Sequence, residues 1–509
     1  MTLPNDLPPG TPERRGGRAA FKWPEERRRT TPSSPESAAA QGSPWETWGQ
    51  RIGVTIGVAA AGAILVVPGG DGLAPEARKA FAVFVLCTGL WVTNAMPYGI
   101  TALLAVASLG LSGALKPAEA YAAFGSSAIF FLIGIFLIGG ALTETGLSKR
   151  LALLLLRRFE GSPFRFAMGL MLTGAFATMW MPNQATTAML FPIAMEVATA
   201  LRLRPRESQY GKLIFFSMAW GAMVGGNLTF LGSSRAALAL GMLQRNAGLG
   251  ISFTQWVLAA FPVVLLGLLT TPLILRAMLK PERVEFESGR RVLERAVSEL
   301  GPMRRPQYLS LAIIVLTILA WVTVGGRRVD LAVIALLGAV SLFATKVLTW
   351  ERAERHVYWN IVLMYGGAIA LGVALERTGA TRWLLDAVFG TTLQHLSPYV
   401  AILGAGLLAL LLSEVMSNAA ALAVVLPLAF TVGADAGASP VAMVLATSFG
   451  AGLDFIFPMS TAPNTIIFAS GYLRTSDFVR LGTAMTVSSV AILALVIRFW
   501  WPVIGLLVP

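Results

Sequence analysis

The sequence is poor in the side chains that most enzymes use for chemistry. Among 509 residues there are one cysteine and two histidines, and charged residues make up 13% of the chain. The single cysteine, Cys87, excludes both a disulfide framework and a thiol pair for redox or metal chemistry. No His-Glu-x-x-His, Gly-x-Ser-x-Gly or Walker motif is present, and His356 and His395 are the sole imidazoles. We therefore expect neither catalytic residues nor a cofactor, and a membrane-embedded enzyme is disfavoured.

Apolar residues are abundant: they make up 55% of the chain, and the mean hydropathy is +0.67. This balance predicts an all-α, polytopic membrane protein with the lipid bilayer as its surroundings. Lysine and arginine number 40 against 27 aspartate and glutamate residues, a net charge of +13. The basic residues lie in short segments between apolar runs, which is the bias of cytoplasmic loops, so we expect no nucleic-acid partner.

Residues 1–50 are rich in Pro, Arg, Ser and Gly and contain no apolar run. This composition predicts a disordered tail. The first apolar stretch begins at Ile52 and lacks a small-residue cleavage site near its end, so we expect no signal peptide. Six arginines favour a cytoplasmic N-terminus on a multi-pass protein of the inner cell membrane. They are Arg14, Arg15, Arg18, Arg27, Arg28 and Arg29.

One apolar run is interrupted by polar residues. Met181–Thr187 reads Met-Pro-Asn-Gln-Ala-Thr-Thr, and apolar residues flank it on both sides, Phe166–Trp180 and Ala188–Ala200. A proline followed by two amides leaves backbone groups without helical partners. In lipid, each such group costs several kcal/mol unless protein or a water-lined cavity receives it. The interruption therefore predicts a broken helix that forms a binding site.

The same interruption occurs a second time, at Asn418. A proline follows nine residues after the asparagine in both copies, Pro192 after Asn183 and Pro427 after Asn418. The two asparagines are 235 positions apart, and two further pairs of segments repeat at offsets of 233 and 228. These pairs are Gly139–Gly146 with Gly372–Gly379, and Leu231–Ser234 with Met459–Ala462. A duplicated membrane unit with interrupted helices at corresponding positions is typical of a transporter with its site near the midplane.

Charge and length divide the rest of the chain. Residues 51–279 are predicted as the first membrane repeat and residues 307–509 as the second, with a cytoplasmic, amphipathic linker at 280–306 between them. Two Gly-rich runs, Phe124–Gly146 and Trp359–Gly379, are predicted as re-entrant helical hairpins. The first run is followed by a strongly basic stretch and the second by a much less basic one. This asymmetry puts equivalent segments on opposite faces, so the repeats are predicted to be inverted.

Three charged residues lie deep in apolar runs, where an unpaired charge is expensive. Glu414 precedes the second asparagine by four positions, Asp454 lies in the predicted apolar element Val441–Phe457, and Arg235 follows Gly232-Ser-Ser. Glu414 and Asp454 are candidate coupling residues; alternatively, Glu414 faces a wet hairpin tip and Asp454 caps a half-helix. Arg235 either takes part in the site or neutralises one of the two acids.

The two asparagines are the stronger site candidates. An asparagine at a helix break satisfies freed backbone groups and also presents its amide to a ligand. Two half-helices whose N-termini face one point concentrate backbone N–H groups there, which suits a carboxylate or another oxyanion. Unwound carbonyl oxygens beside them suit Na⁺. We therefore predict a small anionic substrate, with sodium as the coupling ion.

Ser417-Asn418 with Pro427, and above all Pro458–Gly471, resemble the second-repeat motifs of the divalent-anion/sodium symporters, the carriers of succinate, citrate and sulfate. The resemblance runs from residue 52 to the end of the sequence. It implies a homodimer in which each protomer has a scaffold domain and a mobile transport domain that works as an elevator. The implied sodium ligands are Thr178, Asn183 and Gly232 in a first site and Ser413, Asn418 and Ser460 in a second. The implied substrate contacts are Asn183, Gln184, Ser233, Asn418 and Thr461.

The chain also departs from the family pattern. Where the family has Ser-Asn-Thr, residues 182–184 read Pro-Asn-Gln and residues 417–419 read Ser-Asn-Ala, so both threonine hydroxyls are absent. Where the first repeat normally carries Gly-Thr-Pro-Pro-Asn, residues 232–236 read Gly-Ser-Ser-Arg-Ala. We hypothesise that the Arg235 guanidinium takes over part of the work of the first sodium ion. It does so by neutralising the site or by binding the anion directly through a bidentate contact, which adds Arg235 to the substrate-binding candidates.

The predicted function is secondary active transport of a small di- or multivalent, dicarboxylate-like anion, coupled to sodium, by an elevator mechanism. Two alternatives stay open. One is a sodium-independent anion exchanger, and the other is a proton-coupled carrier of an oxyanion such as sulfate, with the proton on Glu414 or Asp454. A channel or scaffold subunit is disfavoured, because it would not need paired re-entrant hairpins.

Overall fold

The computed structural model describes residues 44–66, 73–326, 328–389 and 396–507. The chain divides into a unit of residues 1–49 and a unit of residues 50–509. The predicted tail lies outside the described residues, except that the first helix already begins at Pro44. Everything below concerns the second unit.

The described residues are almost entirely helical, and no β-strand occurs among them. In chain order the helices are α1 (Pro44–Val66), α2 (Pro75–Val92), α3 (Tyr98–Ser112), α4 (Pro117–Ala122), α5 (Ser127–Glu144), α6 (Leu147–Arg157), α7 (Pro163–Ala177), α8 (Asn183–Ala200), α9 (Gln209–Gly225), α10 (Ser234–Ala247), α11 (Phe253–Leu279), α12 (Glu287–Ser298), α13 (Arg305–Thr323), α14 (Leu331–Ala344), α15 (Trp350–Ala353), α16 (Trp359–Thr378), α17 (Ala380–Phe389), α18 (Pro398–Ser413), α19 (Asn418–Asp435), α20 (Pro440–Gly450), α21 (Ala462–Phe468), α22 (Thr475–Leu495) and α23 (Trp501–Val503).

Several of these helices are long and apolar enough to cross a membrane, as the composition predicted. Six such segments occur in the described residues: Pro117–Glu144, Phe253–Leu279, Arg305–Thr323, Trp359–Thr378, Asn418–Asp435 and Thr475–Val503. Shorter apolar helices accompany them: Gly53–Val66, Tyr98–Ser112, Leu331–Ala344, Pro398–Ser413 and Pro440–Gly450. The chain is therefore an all-helical, polytopic membrane protein.

The two Gly-rich runs predicted as hairpins are uninterrupted helices, so the predicted positions of the hairpins are wrong. α5 and α16 are each continuous from end to end. Their glycines serve close packing and not a turn: a Cβ on Gly134 would overlap Ala335 of α14, and a Cβ on Gly367 would overlap Ala102 of α3. Small residues let the backbones of membrane helices approach each other.

The helix-turn-helix units lie one element later in each repeat. α7 and α8 are joined by residues 178–182, here called the first turn, and α18 and α19 by residues 414–417, the second turn. The two helices of each unit pack against each other. Both units begin with Ser-Pro, and the Ser162 and Ser397 hydroxyls cap α7 and α18 by accepting a backbone hydrogen bond. The predicted breaks at the two asparagines are confirmed.

Two further helices are broken in the middle. Residues 226–233, the first interruption, separate α9 from α10, and residues 451–461, the second interruption, separate α20 from α21. The prediction of a single element over Val441–Phe457 is therefore wrong, because α20 ends at Gly450. A Cβ on Gly450 would overlap the backbone of Gly406 on α18, so this end of α20 is fixed by a close backbone contact.

Each repeat is completed by helices of the other. α5 of the first repeat packs on α14 of the second, and α16 of the second packs on α3 of the first. In the same way, α8 contacts α21 and α19 contacts α10. Within the repeats, α7 packs on α9 and α18 on α20. The pattern of contacts is thus duplicated along with the sequence.

The segment between the repeats contains an amphipathic helix, α12, which packs on α6 and α8. Before α12, the Glu282 carboxylate accepts hydrogen bonds from two backbone N–H groups at the start of α9, each 3.0 Å long. After α12, the Arg150 guanidinium of α6 donates to the carbonyl oxygens of residues 300–302. The segment is therefore attached at both ends to helices of the first repeat.

Candidate functional site

At the first turn, Asn183 begins α8 and lies against the first interruption. Its backbone N–H donates to the carbonyl oxygen of Gly232 (3.2 Å), and its side-chain oxygen accepts from the N–H of Gln184 (2.8 Å). Gly232 lies so close to the carbonyl oxygen of Thr178 that a Cβ there would overlap it. Thr178, Asn183 and Gly232, the residues implied for the first sodium site, are therefore brought together.

The first interruption is tied to its surroundings by hydrogen bonds. The Thr229 hydroxyl donates to the carbonyl oxygen of Met179 in the first turn (2.8 Å), and the Trp256 indole donates to the carbonyl oxygen of Asn227 (3.1 Å). Ser233 ends the interruption as the N-cap residue of α10. Helix N-termini carry unpaired N–H groups and the positive end of the helix dipole. Two such termini, those of α8 and α10, therefore meet at the first turn.

Arg235 is the second residue of α10 and is 3% exposed. Its Nε donates to the carbonyl oxygen of Ser448 (2.8 Å), its Nη1 to the hydroxyl of Ser233 (2.5 Å) and its Nη2 to the side-chain oxygen of Asn227 (2.5 Å). Gly452 also lies against the guanidinium, since a Cβ there would overlap Nη2. Because Ser448 belongs to α20, this side chain links the broken helices of the two repeats.

At the second turn, Asn418 begins α19 as Asn183 begins α8. The Ser417 hydroxyl caps α19 by accepting from the N–H of Ala420 (3.3 Å). The Asn418 amide donates to one carboxylate oxygen of Asp454 (3.2 Å), a residue of the second interruption with no exposed surface. The amide of the second turn and a buried acid are thus in direct contact.

Glu414 fastens the second turn to the second interruption. Its carboxylate accepts hydrogen bonds from the backbone N–H of Ile456, 3.1 Å from each oxygen, and from that of Phe457 at 3.3 Å. The residue is 4% exposed, so the interpretation that it faces a wet hairpin tip is wrong. A carboxylate that accepts backbone N–H groups forms charge-assisted hydrogen bonds, which are stronger than neutral ones.

The second interruption and the start of α21 hold a group of buried oxygen atoms. The Ser460 hydroxyl donates to the carbonyl oxygens of Asp454 (3.2 Å) and Phe457 (2.9 Å), and Thr461 caps α21 by accepting from the N–H of Asn464 (3.3 Å). Among the described residues, the second carboxylate oxygen of Asp454 and the amide oxygen of Asn464 are buried without a hydrogen-bond partner. Buried polar atoms normally have partners, and oxygen atoms without donors suit a cation such as Na⁺.

The two halves of the site differ in charge. Arg235 belongs to the first half, while Glu414 and Asp454 belong to the second. Asp454 lies close enough to both of the other charges to interact with them electrostatically. The halves also touch, since α8 contacts α21, α19 contacts α10, and the Thr461 hydroxyl lies 3.7 Å from the sulfur of Met223 on α9.

The structure brings some of the remaining candidate site residues together and leaves others apart. Asn418 and Ser460, implied for the second sodium site, both bind Asp454. Ser413 instead donates to the Leu410 carbonyl in its own helix (2.8 Å), and no hydrogen bond joins it to those two in the described chain. The implied substrate contacts Ser233 and Thr461 hold equivalent places, each as the N-cap residue of a half-helix. Asn183, Gln184 and Asn418 are half-buried at the turns.

Sequence reasoning missed three residues of this cluster. Asn227 follows two glycines at the end of an apolar run, a signal of the same kind as that at Asn183. Asn464 lies inside Pro458–Gly471 and offers an unpaired oxygen. Ser448 contributes only its backbone carbonyl oxygen, and no side-chain pattern reveals such a contribution.

A family model described as the sodium:sulfate symporter transmembrane region matches residues 50–507. The chain belongs to this family. It is therefore a secondary membrane transporter and not an enzyme.

Similar proteins carry related descriptions. An uncharacterized transporter of Haemophilus influenzae is 27% identical over 445 residues, which is 84% of this chain and 92% of the relative. The sodium-dependent dicarboxylate transporter SdcS of Staphylococcus saprophyticus subsp. saprophyticus is 24% identical over 479 residues, 89% of this chain and 92% of the relative. Among solved structures, the YdaH transporter of Alcanivorax borkumensis aligns over 91% of this chain and 99% of its own, with 16% identity and a TM-score of 0.47.

Proposed function

We propose that this chain is a secondary active transporter that moves a small di- or multivalent, dicarboxylate-like anion across the cell membrane, coupled to sodium. The family description names sodium and sulfate, and a relative is named a sodium-dependent dicarboxylate transporter. One observation supports the proposal above all. Each repeat contributes one asparagine turn and one interrupted helix, and these four elements are joined in a single cluster.

The anion binds between the two turns. α8, α10 and α19 begin there, and helix N-termini favour negative charge because of their unpaired N–H groups and dipoles. The half-buried amides of Asn183, Gln184 and Asn418 add side-chain donors at the same place. Two joined half-sites with equivalent helix N-termini suit a substrate that carries an acidic group at each end, which favours a dicarboxylate.

Sodium binds beside the anion in the second half of the site. The unpaired oxygens of Asp454 and Asn464 are hard ligands, and the carboxylate adds a negative charge in a buried setting where Coulomb energies are large. A bound sodium ion would in turn shield the anion from Asp454. Binding of the two ions is then mutually favourable, which is the physical basis of symport.

Alternating access follows an elevator movement of the site. α7 to α10 and α18 to α21 form the proposed transport domain, because they hold both turns and both interruptions. The pairs α3 with α16 and α5 with α14 form the proposed scaffold, through which two protomers associate. The N-terminus is cytoplasmic in this arrangement, as the positive-inside bias favours.

Uptake by the purified protein in liposomes tests the proposal. Labelled succinate, citrate and sulfate are offered with and without an inward sodium gradient, and we expect accumulation of at least one anion that depends on the gradient. Asn183→Ala and Asn418→Ala should each lower uptake at limiting substrate about 10- to 100-fold, the loss expected for one hydrogen bond to a charged ligand. Glu196→Gln, an exposed change on α8, serves as the control. Absence of both gradient-driven uptake and counterflow for all three anions would contradict the proposal.

A further inference from the structure

The first half of the site contains a positively charged side chain of the protein itself, Arg235. Thr178, Asn183 and Gly232 meet there, as the family resemblance implies for a sodium site. The next residue after Gly232, Ser233, accepts a hydrogen bond from the Arg235 guanidinium. The guanidinium is therefore hydrogen-bonded to the neighbour in sequence of a residue that would hold the first sodium ion.

Arg235 is held in place by three acceptors from two elements, one in each repeat. Its acceptors are Asn227 in the first interruption, Ser233 at the cap of α10 and Ser448 in α20 of the other repeat. Three of its five N–H groups already donate, and the side chain is almost wholly enclosed. Because so little of the guanidinium is exposed, its main contribution to the site is its charge and not a direct contact with the anion. An arginine keeps this charge at all relevant pH values.

The surroundings of the guanidinium make a second cation unfavourable there. The N-termini of α8 and α10 add the positive ends of two helix dipoles to the charge of Arg235. In a buried site, like charges a few ångströms apart repel strongly, because little solvent screens them. The acids Glu414 and Asp454, with the unpaired carboxylate oxygen of Asp454, lie in the second half. The two halves therefore differ in the cation that each accommodates.

We propose that Arg235 is a tethered cation that takes the place of the first sodium ion, so that sodium binds only in the second half of the site. This inference rests on the proposed function. The guanidinium neutralises the anion in every cycle but is never released. Each turnover then carries one positive charge fewer than a transporter with sodium in both halves.

The same geometry predicts what happens when the guanidinium is removed. Arg235→Ala frees three oxygen atoms at one place: the Asn227 side-chain oxygen, the Ser233 hydroxyl and the Ser448 carbonyl. Oxygen atoms are the ligands that hard cations prefer. We therefore expect the variant to bind a sodium ion where the wild type holds its arginine.

Sodium-dependent uptake in liposomes is the first test, with choline replacing sodium. The wild type should show a Hill coefficient for sodium of about one, and Arg235→Ala a value approaching two, since the coefficient is limited by the number of sites. The half-saturating sodium concentration of the variant should rise about tenfold or more, because two sodium ions must now bind before transport. Arg235→Lys, which keeps the charge, should retain the wild-type coefficient.

Two controls separate charge at the site from general damage. Arg150→Gln removes another buried arginine, one that binds the carbonyl oxygens of residues 300–302, and should leave the sodium dependence unchanged. Guanidinium chloride added to the Arg235→Ala liposomes at millimolar concentration should return the Hill coefficient toward that of the wild type. A wild-type coefficient of two, or an Arg235→Ala protein with unchanged coefficient and anion affinity, would overturn the inference.

Equilibrium binding of radioactive sodium to the purified proteins provides a second readout that does not depend on transport. We expect one ion per protomer for the wild type and for Arg235→Lys, and two for Arg235→Ala. Two ions per wild-type protomer would overturn the inference even if the alanine variant could not be purified. One ion per protomer in a protein that moves no anion would refute the proposed function, while the assignment of a single sodium site beside a fixed guanidinium would remain.

Discussion

Replacing Glu414 with glutamine tests how the second interruption is held against the second turn. The carboxylate accepts from the N–H groups of Ile456 and Phe457 at 3.1–3.3 Å. Glutamine keeps one carbonyl oxygen but turns an NH₂ group toward the other donor. One hydrogen bond is therefore lost and the other is no longer charge-assisted, and a hydrogen bond to a charged group contributes about 1.5–3 kcal/mol. Since every 1.4 kcal/mol changes an equilibrium about tenfold, local opening should become about 10- to 100-fold more frequent.

Hydrogen–deuterium exchange reports this opening directly, because the two donors are themselves exchangeable amides. We expect faster exchange in peptides that cover residues 451–461 of Glu414→Gln, and a larger increase in Glu414→Ala, where both donors lose their partner. Peptides from α5 and α14 should exchange as in the wild type. Glu196→Gln, an exposed acid on α8, should change neither region.

Two results would refute this reasoning. If exchange of residues 451–461 changed by less than about twofold, the carboxylate would contribute too little to be an anchor. If exchange rose equally in all helices, Glu414 would stabilise the whole fold and not this one attachment. A local increase together with weaker sodium binding would show that the anchor shapes the cation site.

Three further predictions concern packing, charge and the ligand. Gly450→Leu should abolish monodisperse elution in detergent because its side chain would enter the α18 backbone, whereas Gly404→Ala on α18, which meets open space, should elute normally. Lys212→Met removes the ion-pair partner of the largely buried Asp477, 2.8 Å away. The free energy of unfolding should fall by about 3–5 kcal/mol in thermal unfolding, and adding Asp477→Asn should recover most of this loss. Asn418→Asp puts a second negative charge beside the buried carboxylate of the second interruption, so the KM for the anion should rise about tenfold or more in uptake assays. An unchanged KM would mean that the anion binds elsewhere.

The break at Asn183 could be predicted from the sequence because its cause is local. Pro182 removes a backbone donor, and the residue before it avoids the helical conformation, whatever the rest of the fold does. The second turn contains no proline, and the break at Asn418 was predicted from its likeness to the first. The duplication could be predicted as well, since equal spacings such as Asn183 to Pro192 and Asn418 to Pro427 survive in both copies. Ser233 and Thr461 fall in another repeated pair of segments, offset by 228 residues, but their positions as N-cap residues were found only in the structure.

The hairpins were misplaced because glycine is ambiguous. In Phe124–Gly146, glycines are equally consistent with a turn and with a helix face that meets another backbone. The second explanation is the correct one, as Gly134 packs on Ala335 some 200 residues away. The identity of that partner depends on the packing of the second repeat on the first, and local patterns carry no information on it.

The contacts within the charge cluster could not be predicted from the sequence either, because they join distant parts of the chain and local patterns carry no information on them. Arg235, Glu414 and Asp454 could each be selected as buried charges, but their partners could not. Arg235 binds a side chain eight positions earlier and a backbone carbonyl 213 positions later. Whether Arg235 binds the anion directly or supplies only a fixed charge depends on those partners.

The exchange of helices between the repeats also has a consequence for biosynthesis. When the ribosome has completed α5, the surface of that helix that will cover α14 has no partner, because α14 lies almost 190 residues further along the chain. α3 waits still longer for α16. The first half must therefore persist in the bilayer with these two helix surfaces uncovered, so a chain truncated in the linker should be recognised by membrane proteases and removed.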